Sequence, residues 1–146
     1  MSRTLEMSRN RYSCHVVQKV IEYCADLEET SIILEEILPS INELTKNPNG
    51  NYVIQSIIKN GSKAHKTIVI KEFKKDLLSL STDKYASNVV ESSLRHCSYQ
   101  MKKELITEFL KEREGGYCYL SKMAKDKFGN YVIQKMIAEV KPAELV

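Results

Sequence analysis

The chain has 146 residues, 42% of them apolar and 28% charged, with a formal net charge of +3. That size and balance allow one domain with a real core, and no apolar run approaches the eighteen or so residues a membrane helix needs. The opening MSRTLEMSRNRYS lacks the apolar segment of a signal peptide, and mild basicity alone does not mark a nucleic-acid binder.

In chain order, the first informative stretch is CHVVQ at 14–18. The same five-residue frame returns as NYVIQ at 51–55, SNVVE at 87–91 and NYVIQ at 130–134. Successive starts lie 37, 36 and 43 residues apart, which is a repeat with one insertion. The long interval holds EREGGYCYL, where Gly115-Gly116 predicts a surface loop. Between frames, TSIILEEILPS, HKTIVIKEFKKDLLSL and YQMKKELITEFLKE have the apolar spacing of amphipathic helices. Pro39 is expected to end the first of these, because proline removes a donor and clashes with the preceding turn.

Each frame is expected to open a helix. On a helical wheel Asn51, Tyr52 and Gln55 share one narrow face, and Val53, Ile54, Ile57 and Ile58 make a separate apolar one. The corresponding apolar faces are Val16, Val17, Val20 and Ile21 in the first copy and Val132, Ile133, Met136 and Ile137 in the fourth. The third has Val89, Val90 and Leu94 with a small Ser93. A unit of two or more helices per 36 residues cannot bury such a face alone and must stack on its neighbours. The expectation is an all-α solenoid, one domain over 1–146, with approximate repeats 1–26, 27–62, 63–98 and 99–146. The first is expected to be incomplete, its leading helix absent or vestigial, and apolar surface should show at both ends.

The repeated face carries the chemistry. An aromatic beside an Asn/Gln pair supplies a stacking surface with donors and acceptors for a base edge, the means by which single-stranded RNA is read. A solvated face, or a groove for a partner protein, fits the same pattern. Lys71, Lys74 and Lys75, and likewise Lys102, Lys103, Lys111 and Arg113, are expected to be solvated helix faces. Cys14, Cys24, Cys97 and Cys118 have no metal-ligand spacing and are expected to be reduced thiols of an intracellular protein. His96-Cys97 is too little for a zinc site, so no metal or cofactor is expected. With no nucleophile–base pair and no phosphate loop, an enzyme is not expected either.

The stretches YSCHVVQKVIEYC, NGNYVIQSIIKNG, YASNVVESSLRHC and FGNYVIQKMI resemble the RNA-reading helices of the Pumilio (PUF) family. The resemblance runs through nearly all of the chain, and the order of frames is similar to the last four reading repeats of an eight-repeat domain. It implies a right-handed α-solenoid of Pumilio-type repeats of about 36 residues, part of a crescent. It also implies that RNA runs antiparallel to the chain, one base per repeat. Frame positions 1 and 5 would touch base edges: Cys14 and Gln18, Asn51 and Gln55, Ser87 and Glu91, Asn130 and Gln134. Position 2 would stack between bases through His15, Tyr52, Asn88 and Tyr131.

The side-chain chemistry agrees with those roles. An amide offers both donors and an acceptor, matching the mixed edge of uracil. An ionised Glu91 can only accept, and guanine presents two adjacent donors for it. A wrong base would leave the carboxylate desolvated against another acceptor. With Cys14/Gln18 resembling the family's adenine pair, the element implied is 5′-UGUA-3′. His15 departs from the family's usual Arg, exchanging a fixed charge for a pH-dependent one on a smaller plane.

The implied partner is single-stranded mRNA, bound in 3′ untranslated regions. The implied role is cytoplasmic repression or decay through recruited protein corepressors such as the deadenylase machinery. Two alternatives stand beside it: an armadillo- or HEAT-like interaction solenoid, and a nucleolar Pumilio relative in ribosome biogenesis.

Overall fold

The computed structural model describes residues 2–139, and among them the regular elements are helices apart from one isolated bridge. The first unit is α1 (Arg3–Arg9), α2 (Ser13–Tyr23) and α3 (Glu28–Ile37). The second is α4 (Ile41–Thr45), α5 (Gly50–Asn60) and α6 (Lys63–Lys74), and the third α7 (Leu77–Ser81), α8 (Ala86–His96) and α9 (Tyr99–Leu110). The fourth contributes α10 (Tyr119–Met123) and α11 (Gly129–Glu139). The first three units therefore run short helix, frame helix, long helix, and the described part of the fourth ends on its frame helix. The divisions expected from sequence fall between the frame helix and the long helix of the first three units.

Two expectations need correction. The helix expected to be missing ahead of the first frame is present as α1, capped by Ser2, whose hydroxyl accepts from the Leu5 N–H at 3.2 Å. Its sequence RTLEMSR is too short to show a period, so nothing in the apolar pattern announces it. The stretch HKTIVIKEFKKDLLSL, read as one element, is broken in two. Lys75 N–H bonds to Glu72 and Asp76 N–H to Phe73, both at 3.2 Å, and these tight three-residue closures end α6 before α7 begins. Pro39 behaves as expected: α3 stops at Ile37 and a 3₁₀ turn over Leu38–Ser40 follows.

The frame helices form one row in which α2 packs on α5, α5 on α8, and α8 on α11. Short helices pack behind them, and α6 lies on α9. Ion pairs stitch successive short helices together, Arg9 to Glu43 and then Lys46 to Asp76 at 3.3 Å. These are partly exposed contacts that align neighbours more than they stabilise them.

Burial along the row shows which way each apolar residue points. Val53, Val89 and Val132, at frame position 3, are buried, yet Val16 at that position is 54% exposed. Position 3 thus faces the preceding frame helix, which α2 lacks among the described residues. Three residues past position 5, Ile21, Ile58 and Leu94 are buried but Ile137 is 68% exposed, so that position faces the following unit. Val16 and Ile137, assigned to apolar faces from sequence, are the two that the row leaves uncovered. Gly50 and Gly129 immediately precede a frame. A Cβ on Gly129 would lie 2.9 Å from the Met123 Cα and 3.0 Å from its carbonyl oxygen, so the glycine lets α11 seat on α10.

The expected loop is a small hairpin. Arg113 N–H bonds to Tyr117 carbonyl at 2.7 Å, and Gly115 and Gly116 turn the chain with φ of 92° and 75°. Arg113 leaves the solvated set: it stacks on Tyr119 at 4.0 Å and pairs with Glu108 at 3.5 Å. Lys74 and Lys75 also have partners, Glu104 and Glu72, whereas Lys71, Lys103 and Lys111 are exposed.

Candidate nucleic-acid interface

Four residues before each frame stands Asn10, Asn47, Asp83 or Asp126. Its side-chain oxygen accepts from two backbone N–H groups of the turn that opens the helix. The partners are Tyr12 and Ser13 at 2.9 and 3.0 Å, Asn49 and Gly50 at 2.9 Å each, Tyr85 and Ala86 at 2.9 and 2.8 Å, and Phe128 and Gly129 at 2.8 and 2.7 Å. The carbonyl of the same residue receives the N–H of frame position 1 in all four copies. These caps satisfy donors that a helix start leaves free, and they fix where each frame begins. The wheel did not reveal them, although an Asn or Asp at a constant offset of four residues was legible in the repeat.

Position 1 is the floor of the site. Cys14, Asn51 and Ser87 are buried, with 2%, 2% and 4% of their surface exposed, and Asn130 is half-buried. Asn51 gives both amide hydrogens to backbone carbonyls, Asn47 at 2.8 Å and Pro48 at 2.9 Å, and its Oδ1 accepts from Gln55 Nε2 at 3.1 Å. Asn130 repeats the arrangement with Asp126, Lys127 and Gln134 at 2.7, 3.0 and 3.0 Å. In each of these repeats the asparagine is anchored to the backbone and holds the glutamine in place.

The other two frames differ where their residues differ. Cys14 has no amide oxygen to offer; its thiol donates weakly to the Arg11 carbonyl at 3.7 Å, and Gln18 Nε2 is buried with no partner. Glu91 accepts no hydrogen bond and makes no close ion pair. Burial raises its pKa above the ordinary carboxylate range, and the charge of Lys135 opposes that rise. An orphaned donor and an unpartnered carboxylate are unusual in a finished interior and are suited to meeting a ligand.

Position 2 is the exposed edge. Tyr52 and Tyr131 are 54% and 59% exposed, His15 and Asn88 are exposed too, and none of the four has a stacking partner in the protein. Two clefts lie between successive frame helices. One of about 520 Å³ is lined by residues of α2 and α5, including His15, Gln18, Tyr52 and Gln55. The next, about 500 Å³, is lined by Tyr52, Gln55, Asn88 and Glu91, with Lys59, Arg95 and Lys135 around it. Tyr52 and Gln55 belong to both, so the tyrosine ring stands as a partition between neighbouring compartments. His96, also lining the second cleft, has its pKa lowered by burial and by Lys59, Arg95 and Lys66.

A row of aligned helices, each opening on the same five-residue frame, defines an α-solenoid with a repeated polar face. The repeat model described as Pumilio-family RNA binding repeat matches residues 3–38, 40–73, 76–110 and 119–145. The chain belongs to the Pumilio family. It is 33% identical over 145 residues to a Pumilio domain-containing protein of Schizosaccharomyces pombe, covering 97% of this chain and 20% of that protein. It is 31% identical to Fem-3 mRNA-binding factor 2 of Caenorhabditis elegans, covering 90% and 24% respectively. Among solved structures it is similar to PUF-8 in complex with PBE-RNA, with a TM-score of 0.92, 31% identity, and coverage of 97% of this chain and 41% of that one. It is also similar to the Puf3 RNA binding domain bound to a Cox17 RNA 3′ UTR site, with a TM-score of 0.84, 29% identity, and coverage of 99% and 40%. The chain thus spans about a fifth to a quarter of these curated relatives and two-fifths of these solved chains.

Proposed function

We propose that this segment reads single-stranded RNA one base per repeat, and that its preferred element is 5′-UGUA-3′. The observation that carries the reading is the set of position-5 groups: three amides and one carboxylate, at equivalent places on adjacent helices. Gln134 and Gln55 suit uracil, Glu91 suits guanine, and Gln18 with its free amide hydrogens above Cys14 suits adenine. Tyr131 and Tyr52 stack against the bases, with Asn88 and His15 giving smaller surfaces. The relatives named for mRNA binding, and the neighbours solved with RNA, support the ligand class. By the same analogy the bound RNA is an mRNA 3′ untranslated region, and the compartment proposed with it is the cytoplasm. The consequence is repression or decay through corepressor proteins such as the deadenylase machinery. Family membership sets this chain apart from the armadillo and HEAT solenoids that its periodicity also allowed.

The test is binding of short RNAs containing UGUA or UUUA to the chain and to Glu91→Gln. The expected result is a preference for UGUA in the unmodified protein that moves toward UUUA in the variant. One good base contact discriminates by about 1–3 kcal/mol, or roughly five- to 150-fold. No preference in either protein would overturn the reading and favour a protein-binding face.

A further inference from the structure

The residue that follows frame position 5 is Lys19, Ser56, Ser92 and Lys135 in the four repeats. This sixth position lines the same cleft as the fifth position of the preceding repeat, Ser56 with Gln18, Ser92 with Gln55 and Lys135 with Glu91. The contact is direct where Ser56 Oγ donates to the Gln18 carbonyl at 3.3 Å. Reading across the row, Gln18 is followed by Ser56, Gln55 by Ser92, and Glu91 by Lys135. A serine follows two of the three amides, Gln18 and Gln55, and a lysine follows the one carboxylate.

Lys135 lines the same cleft as Glu91, across the gap between α8 and α11. The two form no close ion pair, so the carboxylate keeps its oxygens free while lying in the field of the ammonium. The other charged or titratable groups facing this cleft are Tyr52 and Lys59 on α5 and Arg95 and His96 on α8 itself. Arg95 has Glu139 of α11 at 4.0 Å, and α7, packed on the far side of α8, carries no ionisable side chain. Lys135 lies across the cleft from Glu91 on the neighbouring helix, and its charge opposes the burial that would neutralise the carboxylate.

We propose that Lys135 is a positioning residue for guanine recognition: it supplies the positive charge that keeps Glu91 an acceptor, so the third repeat's preference is set by two residues on two helices. This rests on the base-reading proposed above. A neutral Glu91 would carry a proton where guanine also carries one, and a donor would then face a donor.

The experiment measures the UGUA-to-UUUA affinity ratio between pH 5.5 and 7.5 for the unmodified chain, Lys135→Met, Lys135→Arg, Glu91→Gln and the double variant Glu91→Gln/Lys135→Met. Beside it, the Glu91 carboxyl is titrated by NMR in the RNA-free protein. Lys135→Met is expected to raise the Glu91 midpoint and to cut the ratio by roughly threefold at pH 5.5, the cut shrinking toward pH 7.5 as the carboxyl ionises in both proteins. Lys135→Arg should keep both values, and Lys135→Met should leave the ratio of Glu91→Gln unchanged.

A Glu91 midpoint that stays put in Lys135→Met overturns the proposal whatever the RNA shows. So does an equal loss for both RNAs with the ratio unchanged, which is the mark of a phosphate contact. A midpoint that moves while the unmodified chain shows no guanine preference overturns the base-reading and leaves the charge pair supported.

Discussion

At the scale of residues, three side chains of one frame stand at three depths: Asn51 is enclosed, Gln55 half-buried and Tyr52 open. The spacing places them on one face, but a helical wheel has no account of height above a neighbour. Asn51 is enclosed because its amide hydrogens are drawn to the backbone carbonyls of the turn before it, a local competition that spacing alone does not express. The cysteines show a similar split. Cys14 and Cys97 are buried, and burial pushes the Cys97 thiol up to about 11, whereas Cys24 and Cys118 are partly open. Only the thiolate reacts, so a thiol-alkylating reagent at neutral pH should modify Cys24 and Cys118 in the folded protein and spare Cys14 and Cys97. Intact-protein mass spectrometry with peptide mapping checks this; early labelling of Cys97 would contradict the packing around it.

At the scale of elements, the period marked the frame helices but not their beginnings. The beginnings are set by Asn10, Asn47, Asp83 and Asp126, small polar residues without apolar signal. The short helices carry no apolar signal for a related reason. Five to seven residues hold less than two turns, too few for a stripe, and such pieces persist through packing rather than propensity. Asp83 caps the helix that carries Glu91, with two bonds of 2.9 and 2.8 Å to Tyr85 and Ala86. Asp83→Ala should lower stability by about 0.5–2 kcal/mol in urea denaturation, the usual range for a lost cap. Asp83→Asn keeps the accepting oxygen and should recover most of that loss.

At the scale of the whole molecule, stacking in one dimension explains why equal residues have unequal surroundings. Val16 and Val53 occupy the same frame position, yet one is 54% exposed and the other fully buried between α2 and α5. The sequence pattern could not separate them, because it records which face is apolar and not whether a neighbour is there. Val53→Ala should cost about 2 kcal/mol through lost transfer energy and a cavity, and Val16→Ala less than about 0.5 kcal/mol. Denaturation of both variants under one condition measures the contrast, and equal losses would mean that Val16 is covered in solution.

The hairpin from Arg113 to Tyr117 stretches the last interval between frames to 43 residues, yet α11 meets α8 as α8 meets α5. The pitch of the row is therefore a property of helix thickness, about 8–10 Å from axis to axis, and not of chain length. A ruler whose divisions are side chains in contact keeps its graduation when one connecting strip is lengthened. The hairpin edge is thus free to vary in length and composition among versions of this fold, while the interval between one compartment and the next stays the same.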